Sequence, residues 1–285
     1  MPACHFREPR RRPRYVLAYA TAGRGQPDRR LIDDASWPAH QQPSGSAKWA
    51  NFSGKSVLVV GGSSGIGFAV AATAVSAGGD VTIASRSAEK LASAAASLGG
   101  KAKVAVVDAT DTVSVDDFFA RVDMFDHVFV TAADVSIRPV ADASVDDAQS
   151  AMNSKFWGIY RIARAARIRP GGSLGVVAGF RSHRPAPGLA LMSAINAAIE
   201  GLVIGLALDL KPVRVNAVSP AMVDTPLWSG MEHSARQAMM DRLASLYPAG
   251  VVARPDDIAQ MLLALAVNPY ATGTVVTLDG GASLV

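Results

Sequence analysis

From Lys48 to the C-terminus, short apolar runs rich in β-branched residues alternate with longer stretches whose apolar positions recur every three or four residues. Such runs, bounded by turn residues, read as strands buried on both faces, and the longer stretches read as helices laid over them. The pattern predicts strands at Ser56–Val60, Val81–Ala84, Val104–Val107, His127–Val130, Ser173–Ala178, Val213–Val218 and Thr274–Leu278. Helices are predicted at Gly65–Ser76, Ala88–Leu98, Val115–Arg121, Val145–Arg167, Leu189–Leu210, Ser234–Leu246 and Pro255–Val267. This alternation is that of βαβ units around one parallel sheet. The expectation is therefore an α/β chain with a single doubly wound domain over residues 48–285, a seven-stranded parallel sheet flanked by helices.

Residues 1–47 break the pattern. They mix Arg, Pro, Gly, Gln and Ser and show no periodicity beyond the short apolar stretch Tyr15 to Ala22. We expect a disordered basic extension. A transit peptide, an export signal built on Arg10-Arg11-Arg12 and an inert leader are the open readings. Charge follows the same boundary. The extension holds eight Arg and four acids, leaving 20 basic and 20 acidic residues beyond it, so the net charge of +4 belongs to the extension. A neutral body offers no phosphate-tracking stripe, and no nucleic-acid partner is expected. Hydrophobic residues make up 49% of the chain, enough for a sizeable core. The sequence shows no uninterrupted apolar run of the roughly 18 residues that span a bilayer, so no membrane association and a cytoplasmic location are expected. Cys4 is the only cysteine, and the five histidines show no ligand spacing; neither disulfides nor a metal site are expected.

Candidate chemistry begins after the first strand. Val57-Leu58-Val59-Val60 runs into Gly61-Gly62-Ser63-Ser64-Gly65-Ile66-Gly67 and then into an Ala/Val-rich helix. Glycines between a strand and a helix let the backbone turn sharply and approach a pyrophosphate, whose charge the helix N-terminus stabilises.

The spacing Gly61, Gly65, Gly67 resembles the short-chain dehydrogenase/reductase family. So do Asp108 at the end of the third strand, Arg214-Val215-Asn216-Ala217-Val218-Ser219-Pro220, Val223-Asp224-Thr225-Pro226 and Asp279-Gly280-Gly281. The resemblance runs from about Ser53 to the end and implies a Rossmann-type domain binding a pyridine dinucleotide. It implies a cofactor cradle of Gly61, Ser63, Ser64, Gly65, Ile66, Gly67, Asp108, Ala109, Thr131, Ala132, Ala133, Pro220, Val223 and Thr225. At the end of the second strand, an Asp would bind the ribose 2′-hydroxyl and repel a 2′-phosphate. Ser85 and Arg86 stand there instead, a small donor and a guanidinium that can fork onto a phosphate, so NADP(H) is expected over NAD(H).

The same resemblance implies an Asn, a Ser, and a Tyr and Lys one turn apart as the catalytic set. Lys155, Gly179, Met192 and Asn196 occupy those positions, with Ala197-Ala198-Ile199-Glu200-Gly201-Leu202 continuing in register. Met192 carries no transferable proton, Gly179 no hydroxyl and Asn196 no charge. Loss of a general acid costs about 10² to 10⁴ in rate, whereas holding donor and acceptor together supplies roughly 7–11 kcal/mol. Hydride transfer therefore survives in principle, best to an acceptor already positive, such as an iminium.

Lys155 falls on the apolar stripe Met152, Lys155, Ile159, Ile162 and Ala166. It is expected to point inward with a lowered pKa, as a relocated proton donor, a substrate anchor or a structural cation. Arg181, Ser182 and His183, after the fifth strand, are candidate substrate contacts, with His183 also a candidate catalytic group, and Asp134 is a candidate partner for Lys155 or a substrate amine. Tyr160 is expected to point away. The Met-rich stretch Trp228 to Tyr247 reads as a substrate lid or as core filler. Three functions remain open: an NADP(H)-dependent oxidoreductase acting on a small carbonyl, imine or enone; a non-redox cyclase, isomerase or lyase; and a silent nucleotide-binding module. The resemblance implies that helices Val145–Arg167 and Leu189–Leu210 pair between subunits, in a homodimer or homotetramer.

Overall fold

The computed structural model describes residues 51–132 and 139–285. The basic extension, Ala133 and Asp134 lie outside the described residues. Seven strands, β1 (Ser56–Val60), β2 (Asp80–Ser85), β3 (Ala102–Val106), β4 (Phe125–Val130), β5 (Ile168–Val177), β6 (Arg214–Pro220) and β7 (Thr274–Leu278), form one sheet. Their order is β3-β2-β1-β4-β5-β6-β7, and every neighbouring pair is parallel. Side chains of a strand alternate between faces. Accordingly Leu58 and Val60 enter a core with Leu174, Val176, Ile195 and Ile199, whereas Val57 and Val59 enter a second core with Val70, Ile83, Ile258 and Leu262.

Helices α1 (Gly65–Ser76), α2 (Ala88–Ser97) and α8 (Pro255–Val267) supply buried residues to the second core. Helices α3 (Thr112–Arg121), α4 (Val145–Met152), α5 (Gly158–Ala165) and α6 (Ala190–Asp209) cover the other face. Helix α7 (His233–Leu246) buries only Met240. Two of the strands lie at the edges of the sheet. There β3 leaves Val104 and Val106 exposed, as expected for a strand with a single neighbour.

Two expectations need correction. The stretch Val145–Arg167 is not one α-helix: a π-helical turn, Asn153–Trp157, separates α4 from α5. The side chain of the turn's opening residue is engaged: Arg161 of α5 donates to Asn153 Oδ1 at 2.7 Å, and the Asn153 amide reaches Thr110 O, outside the helix, at 3.5 Å. Second, α6 is long and apolar enough, by length and composition, to cross a membrane. Its sequence hides this because Ser193, Asn196 and Glu200 interrupt the run, yet all three are buried in the fold.

Candidate active site

In an open parallel sheet, ligands bind beyond the carboxyl ends of the strands where strand order reverses. Here that point lies between β1 and β4. Gly61 leaves β1 with φ of +88°, and a side chain on it would meet Ala132 N at 2.5 Å and Thr131 Oγ1 at 2.7 Å. A Cβ on Gly67 would lie 2.2 Å from Gly61 O and 2.4 Å from Thr131 Oγ1. The turn is thus closed tightly on the end of β4, and only glycine fits its two ends. Thr131 Oγ1 donates to Val60 O at 3.2 Å and fixes that contact. Ser64 precedes α1 without a side-chain cap, and the first turn carries no acid. The first amides of α1 therefore present their partial positive charge to an anion. Thr225 stands 3.5 Å from a Cβ placed on Gly65, which brings the segment after β6 over the same turn.

The neighbouring strand ends complete this half. Ser85 ends β2 half-buried, its hydroxyl 3.5 Å from Ser87 O, and Arg86 follows on the surface. Asp108 Oδ1 accepts from Thr110 N at 2.9 Å and Thr110 Oγ1 at 2.7 Å. It thereby shapes its own loop beside buried Ala109, on which Gly158 packs. Ser63 and Ile66 are partly buried in the glycine turn. Pro220 ends β6, and Val223 is buried, bridged to Ala253.

The other half gathers around the end of β5. Lys155, in the π-helical turn, is only 8% exposed. Its ammonium donates to Ala178 O at 2.9 Å and to Asn196 Oδ1 at 2.7 Å, both neutral acceptors. Burial pushes its pKa down to about 8, with the Glu200 carboxylate opposing the fall. Gly179 faces the same amide: a Cβ there would meet Asn196 Nδ2 at 2.7 Å. The Asn196 side chain thus occupies the space a side chain at 179 would need. Met192, one turn earlier on α6, is half-buried. The structure therefore brings Lys155, Gly179 and Asn196 together.

Glu200, one turn beyond Asn196, was not singled out from the sequence. It is 8% exposed, and three donors surround it. Ser182 Oγ and Ser219 Oγ donate to Oε1 at 2.7 and 2.5 Å, and His183 Nε2 lies 3.0 Å from Oε2. The available signal was its place four residues after Asn196 on the face that also buries Ile199 and Val203. His183 is half-exposed and bound to this carboxylate rather than to Lys155. Arg181 stacks over the Phe180 ring at 4.4 Å and donates to Arg184 O at 3.2 Å. Tyr160 is exposed, packed edge-on against Trp157. Tyr247, which sequence reasoning named only as the end of the Met-rich stretch, also lies near this end of the sheet. It is hydrogen-bonded to the Met222 backbone, just beyond β6, and burial raises its pKa. In the Met-rich stretch Met240 fills core, and the Trp228 indole donates to Val223 O at 3.1 Å.

Chemically, the site pairs an anion-receptive glycine turn with a buried, partly compensated ammonium at the same end of the sheet. Comparison with known proteins identifies the family. A family model described as enoyl-(acyl carrier protein) reductase matches residues 60–283. The short-chain dehydrogenase/reductase malC of Malbranchea aurantiaca is 30% identical over 248 residues, covering 80% of this chain and 94% of its own. A solved structure of MalC reductase/Diels-Alderase from the same organism superposes with a TM-score of 0.78 at 28% identity, covering 84% of this chain and 100% of that one. A small-chain dehydrogenase crystallised with NADPH is 34% identical with a TM-score of 0.71, covering 81% of this chain and 99% of that one. A glycine turn at the switch point of a seven-stranded parallel sheet, together with these matches, makes the chain a member of the short-chain dehydrogenase/reductase family, whose enzymes are oxidoreductases using NAD(P)(H) on small molecules.

Proposed function

We propose that residues 48–285 bind NADP(H) in preference to NAD(H) and catalyse hydride transfer to or from a small carbonyl, imine or enone without a tyrosine–lysine relay. The observation that carries this reading is the buried Lys155 ammonium held by Asn196 at the end of β5. The glycine turn fits a pyrophosphate, since both its ends exclude a Cβ and the amides of α1 face outward from it. Ser85 and Arg86 supply the donors for a 2′-phosphate, and the 34% identical NADPH complex is in keeping with that choice.

A cofactor bound there would give or accept the hydride. Lys155 holds a proton at Nζ with a pKa near 8, so it is charged at neutral pH and close to releasing that proton. This is the range in which general acid catalysis is most effective. Met192 gives the mouth of the site an apolar surface, and Arg181 and His183 stand on the turn after β5 as substrate contacts. A second reading, a non-redox cyclisation beside bound cofactor, is favoured by the reductase/Diels-Alderase name of one relative together with the methionine at position 192. The exposed Trp157 and Tyr160 of the π turn and α5, and Ile204 and Leu208 of α6, support pairing of these helices in a homodimer or homotetramer. A lone cysteine suits the cytoplasm.

Calorimetry against NADPH and NADH tests the first claim, with tighter binding of NADPH expected. Cofactor oxidation, followed by absorbance with a panel of ketones, enones and cyclic iminium salts, tests the second. Lys155→Met is expected to lower kcat by about 10² to 10⁴ with NADPH affinity unchanged, and Tyr247→Phe to leave kcat intact. The reverse pattern would transfer the donor role to Tyr247. Turnover of a substrate without cofactor oxidation would establish the non-redox reading.

A further inference from the structure

Glu200 plays no part in the scheme just given, yet burying a carboxylate is costly unless it is paired and hydrogen-bonded. Its donors come from separate elements: Ser182 and His183 from the turn after β5, and Ser219 from the end of β6. The Lys155 unit is built on that same turn and on α6, the helix that carries Glu200. Lys155 binds Ala178 O at the start of that turn and Asn196 on the same face of α6. Residues four apart on a helix are adjacent, with Cβ atoms about 5–6 Å apart. Ser182 Oγ also approaches Gly179 O at 3.1 Å, so the carboxylate and the ammonium each contact the turn 178–182.

Neither acceptor of Lys155 carries charge. A buried ammonium bound only to neutral oxygens tends to lose its proton. Glu200 is the acid among the described residues whose charge acts on Lys155. The other titratable group touching that carboxylate is His183, on the solvent side; Arg181, on the same turn, bonds to Arg184 O instead.

We propose that Glu200 is a positioning residue for Lys155: it is the buried counter-charge that keeps the Lys155 ammonium protonated at neutral pH, held in place by Ser182, Ser219 and His183. This rests on the reading of Lys155 as the proton donor, but its central claim concerns charge and is measurable without turnover. The two carboxylate oxygens are occupied by other donors, so Glu200 acts at a distance; both groups are buried, and charges interact more strongly in the protein interior than in water.

The test is an NMR titration of the full-length protein labelled with 13C-lysine. The chain has seven lysines, and Lys155→Met identifies the Lys155 Cε signal. Glu200→Gln is expected to lower its titration midpoint by about 1–3 pH units, the size of effect an adjacent opposite charge produces. Glu200→Asp should restore most of the shift. His183→Gln removes one contact to the carboxylate while keeping its charge, and should leave the midpoint in place. If Glu200→Gln and His183→Gln both leave it unchanged, or both move it equally, Glu200 is a structural staple and the proposal fails. Should Glu200→Gln fail to fold, Glu200→Asp against His183→Gln still decides: an unaltered midpoint in the former with a lowered one in the latter overturns the assignment. A lowered midpoint in Glu200→Gln together with full turnover by Lys155→Met would sink the donor reading and leave this one standing.

Discussion

At the scale of single residues, the glycine turn and the lysine site follow opposite rules. Gly67 is required because it has no side chain: a Cβ would sit 2.2 Å from Gly61 O and 2.4 Å from Thr131 Oγ1, and neither the backbone oxygen nor the hydroxyl bonded to Val60 O can retreat freely. Gly67→Ala should cost about 1–3 kcal/mol of stability, the usual price of overpacking, and weaken NADPH binding. Thermal unfolding and calorimetry check the two effects, and an alanine variant with wild-type values for both would refute the close approach. Lys155, by contrast, is placed by what it donates to, and its acceptors come from β5 and α6. The glycine spacing was legible in the sequence because the restriction is local. The Lys155–Asn196 pair was not, because the partners are 41 residues apart and each alone reads only as a substitution.

Among elements, the informative departure is the π-helical turn between α4 and α5. Periodicity sees an unbroken apolar stripe from Met152 to Ala166 and reports one helix, since the extra residue of a π turn leaves the composition of the stripe unchanged. The fold uses that turn to bind the loop after β3. Arg161 donates to Thr112 Oγ1 at 3.0 Å, Ala109 O at 3.4 Å and Asn153 Oδ1 at 2.7 Å, so its side chain ties α5 and the π turn to the loop carrying Asp108. Arg161→Ala should raise the Kd for NADPH about fivefold, a loss of about 1 kcal/mol, with helix content unchanged by circular dichroism. An unaltered Kd would separate the two halves of the site. The sequence located α1, α6 and α8 to within a residue or so, because each has a strong apolar pattern and clear stop signals. It placed the start of β5 five residues late, because Arg169-Pro170-Gly171-Gly172 reads as a turn although the strand begins at Ile168. The β4–β5 register shifts there, between Phe125 and His127.

For the whole molecule, the buried His127 couples stability to pH. It lies in β4, its Nδ1 2.8 Å from Ser173 Oγ and its ring edge-on to Phe52. Burial lowers its pKa from 6.5 to about 4. Between those values the unfolded chain binds a proton that the folded chain does not, so stability is complete above pH 6.5 and falls as pH drops toward 4, by about 3 kcal/mol from this group. Urea midpoints at pH 7, 5.5 and 4.5 should show the decline, and His127→Asn, which cannot titrate, should flatten this part of it. An identical pH dependence in the two proteins would remove His127 as the cause.

Apart from the π turn, the order and type of the elements, the parallel sheet and the phosphate-receptive glycine turn were determined by the sequence alone, because each rests on interactions within a few residues or on a repeating pattern of burial. Tertiary structure decided which polar groups share the space at the end of β5. Lys155, Asn196, Glu200, Ser182 and Ser219 come from four separate segments, and a buried charge is tolerable only where those segments converge. Convergence of that kind leaves no periodic trace along the chain, so the charge relation between Lys155 and Glu200 emerges only once β5, β6 and α6 are packed together.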